Sequence, residues 1–383
     1  MRCACDESHH ATTHTHNPTQ TNQLNTRYQS TTRTHMRDLA ALPKAELHIH
    51  LEGSMRRETL VDLCNKYQIS VPDDTRGRRF DSFNAFVDVY LAACECLREE
   101  SDLYRLVWEI AEDAAASGAR WIEPALSQSL YNKRFGGAEK TLRVLCRAAE
   151  EAEMATGVGI GYIVAAERIF PASQAEELAE VVRKAATDDS MRICGRRGIV
   201  GFGLHGNEEG FPPEPFVKAF SIACEGTGVI SAPHAGEIAP HPGKGSQSVR
   251  DANRLLNARR IAHGVLAAND DEALQELVHD DTCLDVCVSS NYLLNVVPSP
   301  EAHPLPRLCQ RGVACSINSD DALLFGSTLL SEFEMCRQEL KMSDEVLAIC
   351  ARSSFRYSCS PKAVVEKALA DIEAWLEDGV ADK

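Results

Sequence analysis

Between Glu46 and Asn318 the chain alternates short aliphatic, strand-like runs with amphipathic helical stretches, and does so eight times. Strands alternating with helices predict a parallel sheet. The strands are expected from Glu46 to His50 and at Ala119–Pro124, Val158–Ala165, Gly198–Leu204, Val229–His234, Arg260–His263, Thr282–Ser289 and Val313–Asn318. Three helical stretches, Arg56–Tyr67, Phe80–Leu97 and Asp102–Ser117, separate the first strand from the second. Eight such units over roughly 300 residues suit a closed α/β fold, the (β/α)8 TIM barrel. An open doubly wound sheet is the main competitor, and it usually carries a glycine-rich phosphate loop after its first strand. Neither GxGxxG in that place nor GxxxxGK[ST] is present. The expected organisation is therefore one barrel domain, 36–383, with a helical insert after strand one and an extension, 1–35, ahead of it.

The extension is rich in Thr, Asn, Gln and His and poor in aliphatics, so it cannot bury a core and is expected to be disordered. It has no acidic residue from His9 to Arg37, a faint transit-peptide trait, but lacks the apolar face such a helix needs. A spurious extension upstream of Met36 is the alternative. Cys3 and Cys5 near His9 and His10 lie in this floppy tail and are not read as a metal site. The formal net charge of −16 disfavours nucleic acid as a partner, and no run is apolar and long enough to span a membrane. Fifteen cysteines without a CxxC fit buried thiols in a reducing compartment, so a cytoplasmic location is expected.

The strand ends carry the chemistry. His48 and His50 alternate with Leu47 and Ile49, so both imidazoles face one side of strand one. His234 ends strand five, His263 ends strand six, and Asp320 and Asp321 follow strand eight. A lone His after a strand is usually structural, and an SDD run is usually a helix cap. Several such residues at four strand ends of a barrel surround one cavity. His48, His50, His234 and Asp320 form a donor set for one zinc ion, which lowers the pKa of a bound water to about 7. Glu237 lies three residues past His234, where a protonated carboxyl can donate to a substrate nitrogen. His263 can hold the attacking hydroxide or balance charge, and Asp321 can accept a hydrogen bond from substrate.

These blocks resemble the adenosine deaminase family of zinc barrel hydrolases: HIHLEGS at strand one, GFGLHGNE at strand four, HAGE at strand five, AHGV at strand six and NSDDALLFG at strand eight. The match runs in order from about Leu42 to Gly326. The resemblance implies hydrolytic removal of the 6-amino group of adenosine or deoxyadenosine, giving inosine plus ammonia in purine salvage. It implies one zinc on His48, His50, His234 and Asp320. Glu237 would protonate N1, and His263 would orient the water that attacks C6. Asp321 would engage N7, Gly206 would offer its N–H to N3, and His50 and Glu52 would also border the substrate.

Several residues depart from the family pattern. Adenosine-specific members usually have Asp where this chain has Glu52, on the ribose side. Glu there is like relatives acting on adenine or aminodeoxyfutalosine. The strand-two block has Ala125 where the family often has Arg, the loop Ile238–Gly245 is unusual, and Ala322 stands where many members carry Pro. The lid is expected around Thr59–Leu97, with Phe83 and Phe86 closing over the purine or packing in the core. A two-metal hydrolase would need a bridging Lys or Glu at the end of strand four, where this chain has His205. The small cytidine-deaminase fold needs PCxxC, which is absent. A non-catalytic binding relative would not need the full set of ligands plus Glu237. Oligomeric state is left open.

Overall fold

In the computed structural model of the protein, residues 36–238 and 242–378 are described. The expectations for 1–35 and for part of the Ile238–Gly245 loop lie outside them. The eight strands are β1 (Lys44–His50), β2 (Ala119–Leu126), β3 (Tyr162–Glu167, preceded by Gly159–Ile160) and β4 (Ile199–His205). They continue with β5 (Ile230–Ser231 and His234–Ala235), β6 (Arg260–His263), β7 (Cys283–Val286) and β8 (Ala314–Ile317). Neighbours pair in parallel from β1 to β5 and from β5 to β8. The halves of β5 flank Pro233: the first pairs with β4 and the second with β6.

The sheet closes where β8 meets β1. Asp320, just past β8, bridges Ile49. Its N–H donates to the His48 carbonyl at 3.2 Å, and its carbonyl accepts from His50 N–H at 3.1 Å. One residue pair earlier the Asn318 side chain accepts from Leu47 N–H at 2.7 Å. The result is the expected (β/α)8 barrel.

Every residue of β1 is buried, as a barrel strand covered on both faces requires. Ala45, Leu47 and Ile49 belong to the apolar layer between strands and helices. The barrel interior also holds charge: Arg260, fully buried, pairs with Glu123 at 2.6 Å and with Asp285 at 3.0 Å. Glu123 further accepts from Trp121 Nε1 at 2.7 Å, so this buried carboxylate is well supplied with donors.

Two local expectations differ. The apolar run after Val286 turns into a helix, Val288–Leu293, instead of continuing β7 to Ser289. The cause is a distant carboxylate: Glu332 accepts from the N–H groups of Val288 and Ser289 at 2.9 and 3.1 Å, satisfying orphan donors of the first turn. The polar segment before β4 contains a small antiparallel ribbon, Arg192–Ile193 with Arg196–Arg197. At the C-terminal side, helix Asp344–Tyr357 packs on β1, where Ser354 Oγ accepts from Ala45 N–H at 3.0 Å. Helix Lys362–Asp378 clasps the first described residues through Trp375 Nε1 and the Asp38 carbonyl, 2.7 Å apart.

Candidate active site

His48 and His50 project from β1, His234 from β5 and His263 from β6, while Asp320 follows β8; all five are buried. Backbone conformation aims two of them. His263 and Asp320 have φ of 66° and 65°, a left-handed region that non-glycine residues enter rarely and that clusters at functional sites. Asp320 Oδ1 lies 3.3 Å from His48 Nε2 and 3.2 Å from His50 Nε2. Ligand atoms of His48, His50 and His234 lie within 4.8 Å of one another, as do those of Glu237, His263 and Asp320.

The donor chemistry fits a zinc-type ion. His48 Nε2, His234 Nδ1 and Asp320 Oδ1 are buried without a hydrogen-bond partner. His48 Nδ1 sits 2.9 Å from the backbone carbonyl of Asp285, an acceptor only, so Nδ1 carries the proton and Nε2 presents its lone pair. Three imidazoles and a carboxylate match the zinc preference for nitrogen and oxygen ligands. Cys287 Sγ also approaches His48, at 3.4 Å, but on the Nδ1 side of the ring, away from the Nε2 that faces Asp320. His205 belongs to no ligand cluster among the described residues. Its Nδ1 meets Ser127 Oγ at 3.0 Å, and it lines the cavity wall.

Glu237 Oε1 lies 3.4 Å from His263 Nε2. Burial, reinforced by the charges of Asp320 and Glu208, holds the Glu237 carboxyl well above the usual carboxylate range, which favours the protonated form that can donate. Burial and the adjacent Asp320 likewise hold the Asp321 carboxyl well above the usual range, which favours the protonated form that can donate toward the cavity. Its Oδ1 stands 1.6 Å from where a Cβ on Gly53 would lie, so the turn after β1 must be glycine there. Gly206 has φ of 94° and borders the same cavity.

Glu52 requires a correction. It is fully buried and is not among the residues lining the cavity. Its Oε1 accepts from Ser127 N–H at 3.1 Å and from the Tyr131 hydroxyl at 2.6 Å, and its Oε2 accepts from the Tyr90 hydroxyl at 2.8 Å. With three donors on its two oxygens, Glu52 ties helix Phe83–Cys96 to the loop after β2, outside the cavity lining.

Sequence reasoning passed over Glu208 and Glu167. Glu208 accepts from the N–H groups of Gly236, Glu237 and Ile238 at 2.9, 2.8 and 3.1 Å, and from Ser248 Oγ, so it fixes the turn that carries Glu237. It lay inside the GFGLHGNE block, and that was its only signal. Glu167 ends β3 and lines the cavity with its Oε1 unpartnered; burial raises its carboxyl to about 7. Its position at a strand end was the available clue.

The cavity encloses about 270 Å³. Its floor is the polar cluster above, and its outer wall is apolar: Phe83, Phe86, Val87, Leu91, Leu130 and Ile169. Phe86 serves two roles, since its ring also stacks on Phe325 at 5.6 Å between centroids.

A family model described as adenosine deaminase matches residues 43–375. A protein of Streptomyces virginiae named putative adenosine/adenine deaminase is 38% identical over 350 residues, covering 89% of this chain and 99% of its own length. An aminodeoxyfutalosine deaminase of Streptomyces avermitilis is 32% identical, covering 88% of this chain and 93% of its own. The crystal structure of an adenine deaminase from Arthrobacter aurescens superposes with a TM-score of 0.78 at 28% identity, covering 88% of this chain and 99% of that one.

Proposed function

The chain belongs to the adenosine deaminase family of metal-dependent hydrolases, and from that premise we propose that it removes the 6-amino group of a purine, with adenine as preferred substrate. The observation that carries the reading is the buried Glu237 carboxyl set 3.4 Å from His263 beside the donor atoms of His48, His50, His234 and Asp320. Those four residues would hold one zinc ion, which supplies a Lewis acid that makes water nucleophilic at neutral pH. Glu237 donates its proton to N1 of the ring, which leaves C6 electrophilic. Its carboxylate then takes a proton from the attacking water and delivers it to the departing amino group. The hydroxyl left on C6 then returns its proton to Glu237, so the products are the 6-oxopurine with hydrogen on N1 and ammonia, the acid is regenerated, and no oxidant is needed. Asp321 donates to N7, a hydrogen-bond acceptor, and Gly206 N–H faces N3.

Two observations favour the free base over adenosine. Glu52 is held by Tyr90, Tyr131 and Ser127 and does not line the cavity, so it is not placed to hold a ribose hydroxyl. A cavity of about 270 Å³ also lies at the lower end of the about 300–1,000 Å³ common for ligand pockets, which suits a compact substrate. The relatives named for adenine and for aminodeoxyfutalosine are consistent with a 6-aminopurine site whose preference at N9 varies. The test is ammonia release from adenine, adenosine, deoxyadenosine and aminodeoxyfutalosine. A kcat/KM for adenine at least about tenfold above adenosine is expected, a difference of about 1.4 kcal/mol. Preference for adenosine would overturn the substrate, and no ammonia from any of them would overturn the reaction.

A further inference from the structure

Behind His263, away from the metal ligands, runs a chain of three buried hydrogen bonds. The backbone N–H of Leu305 meets His303 Nδ1 at 3.1 Å. His303 Nε2 lies 3.0 Å from Asn291 Oδ1, and Asn291 Nδ2 lies 3.2 Å from His263 Nδ1. His303, Asn291 and His263 are 3%, 0% and 1% exposed, so water does not compete for these bonds.

The direction of the chain is settled at its first link. A backbone N–H can only donate, so His303 Nδ1 accepts and must be unprotonated. Burial pulls the His303 pKa to about 3, so its ring is neutral and its single proton sits on Nε2. That proton is donated to the Asn291 carbonyl oxygen, which fixes the amide orientation and turns Nδ2 toward His263. His263 Nδ1 therefore accepts, and its own proton sits on Nε2, the atom facing Glu237 and Asp320 at 3.4 and 3.8 Å. His48 is set the opposite way by the Asp285 carbonyl, with its proton on Nδ1. One site thus holds two imidazoles of opposite tautomer, each fixed from behind.

We propose that Asn291 and His303 are positioning residues that fix His263 as a hydrogen-bond donor toward the reaction centre and keep it from acting as a base. Neither ring nitrogen of His263 is free to take a proton: Nδ1 is occupied by the Asn291 amide and Nε2 already carries hydrogen. Proton acceptance then falls to Glu237. This role rests on the hydrolytic reading above, whereas the tautomer does not.

The test has two arms. In metal-loaded, ¹⁵N-histidine-labelled protein, NMR should find His263 protonated at Nε2 and bare at Nδ1; a proton on Nδ1 overturns the proposal whatever the enzyme's activity. In steady-state kinetics, Asn291→Leu should lower kcat by about 10–100-fold with KM and metal content within about threefold, the usual scale for residues that orient a site histidine. His303→Leu should follow it, and His303→Gln, which keeps a donor toward Asn291, should recover most of the loss. An unchanged kcat in Asn291→Leu, or equal loss in His303→Leu and His303→Gln, would sink the proposal. Should Asn291→Leu fail to fold, the NMR of the unmutated protein still decides. Should no 6-aminopurine be turned over, the tautomer stands or falls alone.

Discussion

The floor and the outer wall of the cavity are built by different forces. The floor is polar and buried, and its groups are held by hydrogen bonds from residues far along the chain: Asp285 behind His48, Glu208 beneath Glu237, Asn291 behind His263. The wall is a layer of aliphatic and aromatic side chains, of which Leu91 and Ile169 are 42% and 57% exposed; its helix Phe83–Cys96 is tied down by Glu52 through Tyr90 and by Arg134, which donates to the Cys94 carbonyl. The difference teaches that buried hydrogen bonds fix the geometry of the polar floor, while the mostly apolar wall can be re-cut without touching those bonds.

The sharpest way to break that contrast is at the floor. His234→Ala should lose the metal and with it essentially all turnover, measured by metal analysis of the purified protein; stoichiometric zinc in that variant would take His234 out of the ligand set. Glu237→Gln should keep the metal while kcat falls about 10³-fold, within the range for a general acid–base residue; a near-normal rate would return proton transfer to His263. At the wall the effects should be smaller and of another kind. Tyr90→Phe removes one donor from Glu52 and loosens helix Phe83–Cys96, so KM should rise about three- to tenfold with kcat within about twofold. A kcat collapse there would mean that wall and floor are one unit.

The smallest effect concerns stability. Burial raises the Glu332 carboxyl to about 7 while it caps helix Val288–Leu293. A group whose pKa is higher folded than unfolded favours the fold at low pH, and that contribution is lost as pH rises through about 7. Glu332→Gln keeps an acceptor for both N–H groups without the titration. Its melting temperature should therefore fall less than that of the unmutated protein between pH 5 and pH 8. Equal slopes would show that Glu332 does not stay protonated when buried.

The barrel and the floor were legible in sequence for one physical reason. A strand of period two ending in a His or Asp points that side chain at the same mouth each time, so weak local signals add. His48, His50, His234, His263 and Asp320 needed nothing else. The supports were not legible, because a hydrogen bond between Asn291 and His303, or Glu332 and Val288, leaves no periodic trace. The end of β7 was misjudged for that reason: Val286, Val288 and their neighbours favour a strand locally, and a carboxylate 44 residues away makes the turn of helix instead. Glu52 was visible as a motif, but the tyrosines that claim it sit on elements whose approach only the folded chain reveals.

The closure at Asp320 has a consequence for how the protein comes into being. The residue that seals the sheet against Ile49 also stands between His48 and His50, and it is encoded some 270 positions after them. On the ribosome, nearly the whole barrel must emerge before the proposed ligand set is complete. A nascent chain stalled before strand eight therefore has neither a sealed sheet nor the full set of residues proposed to hold the cation.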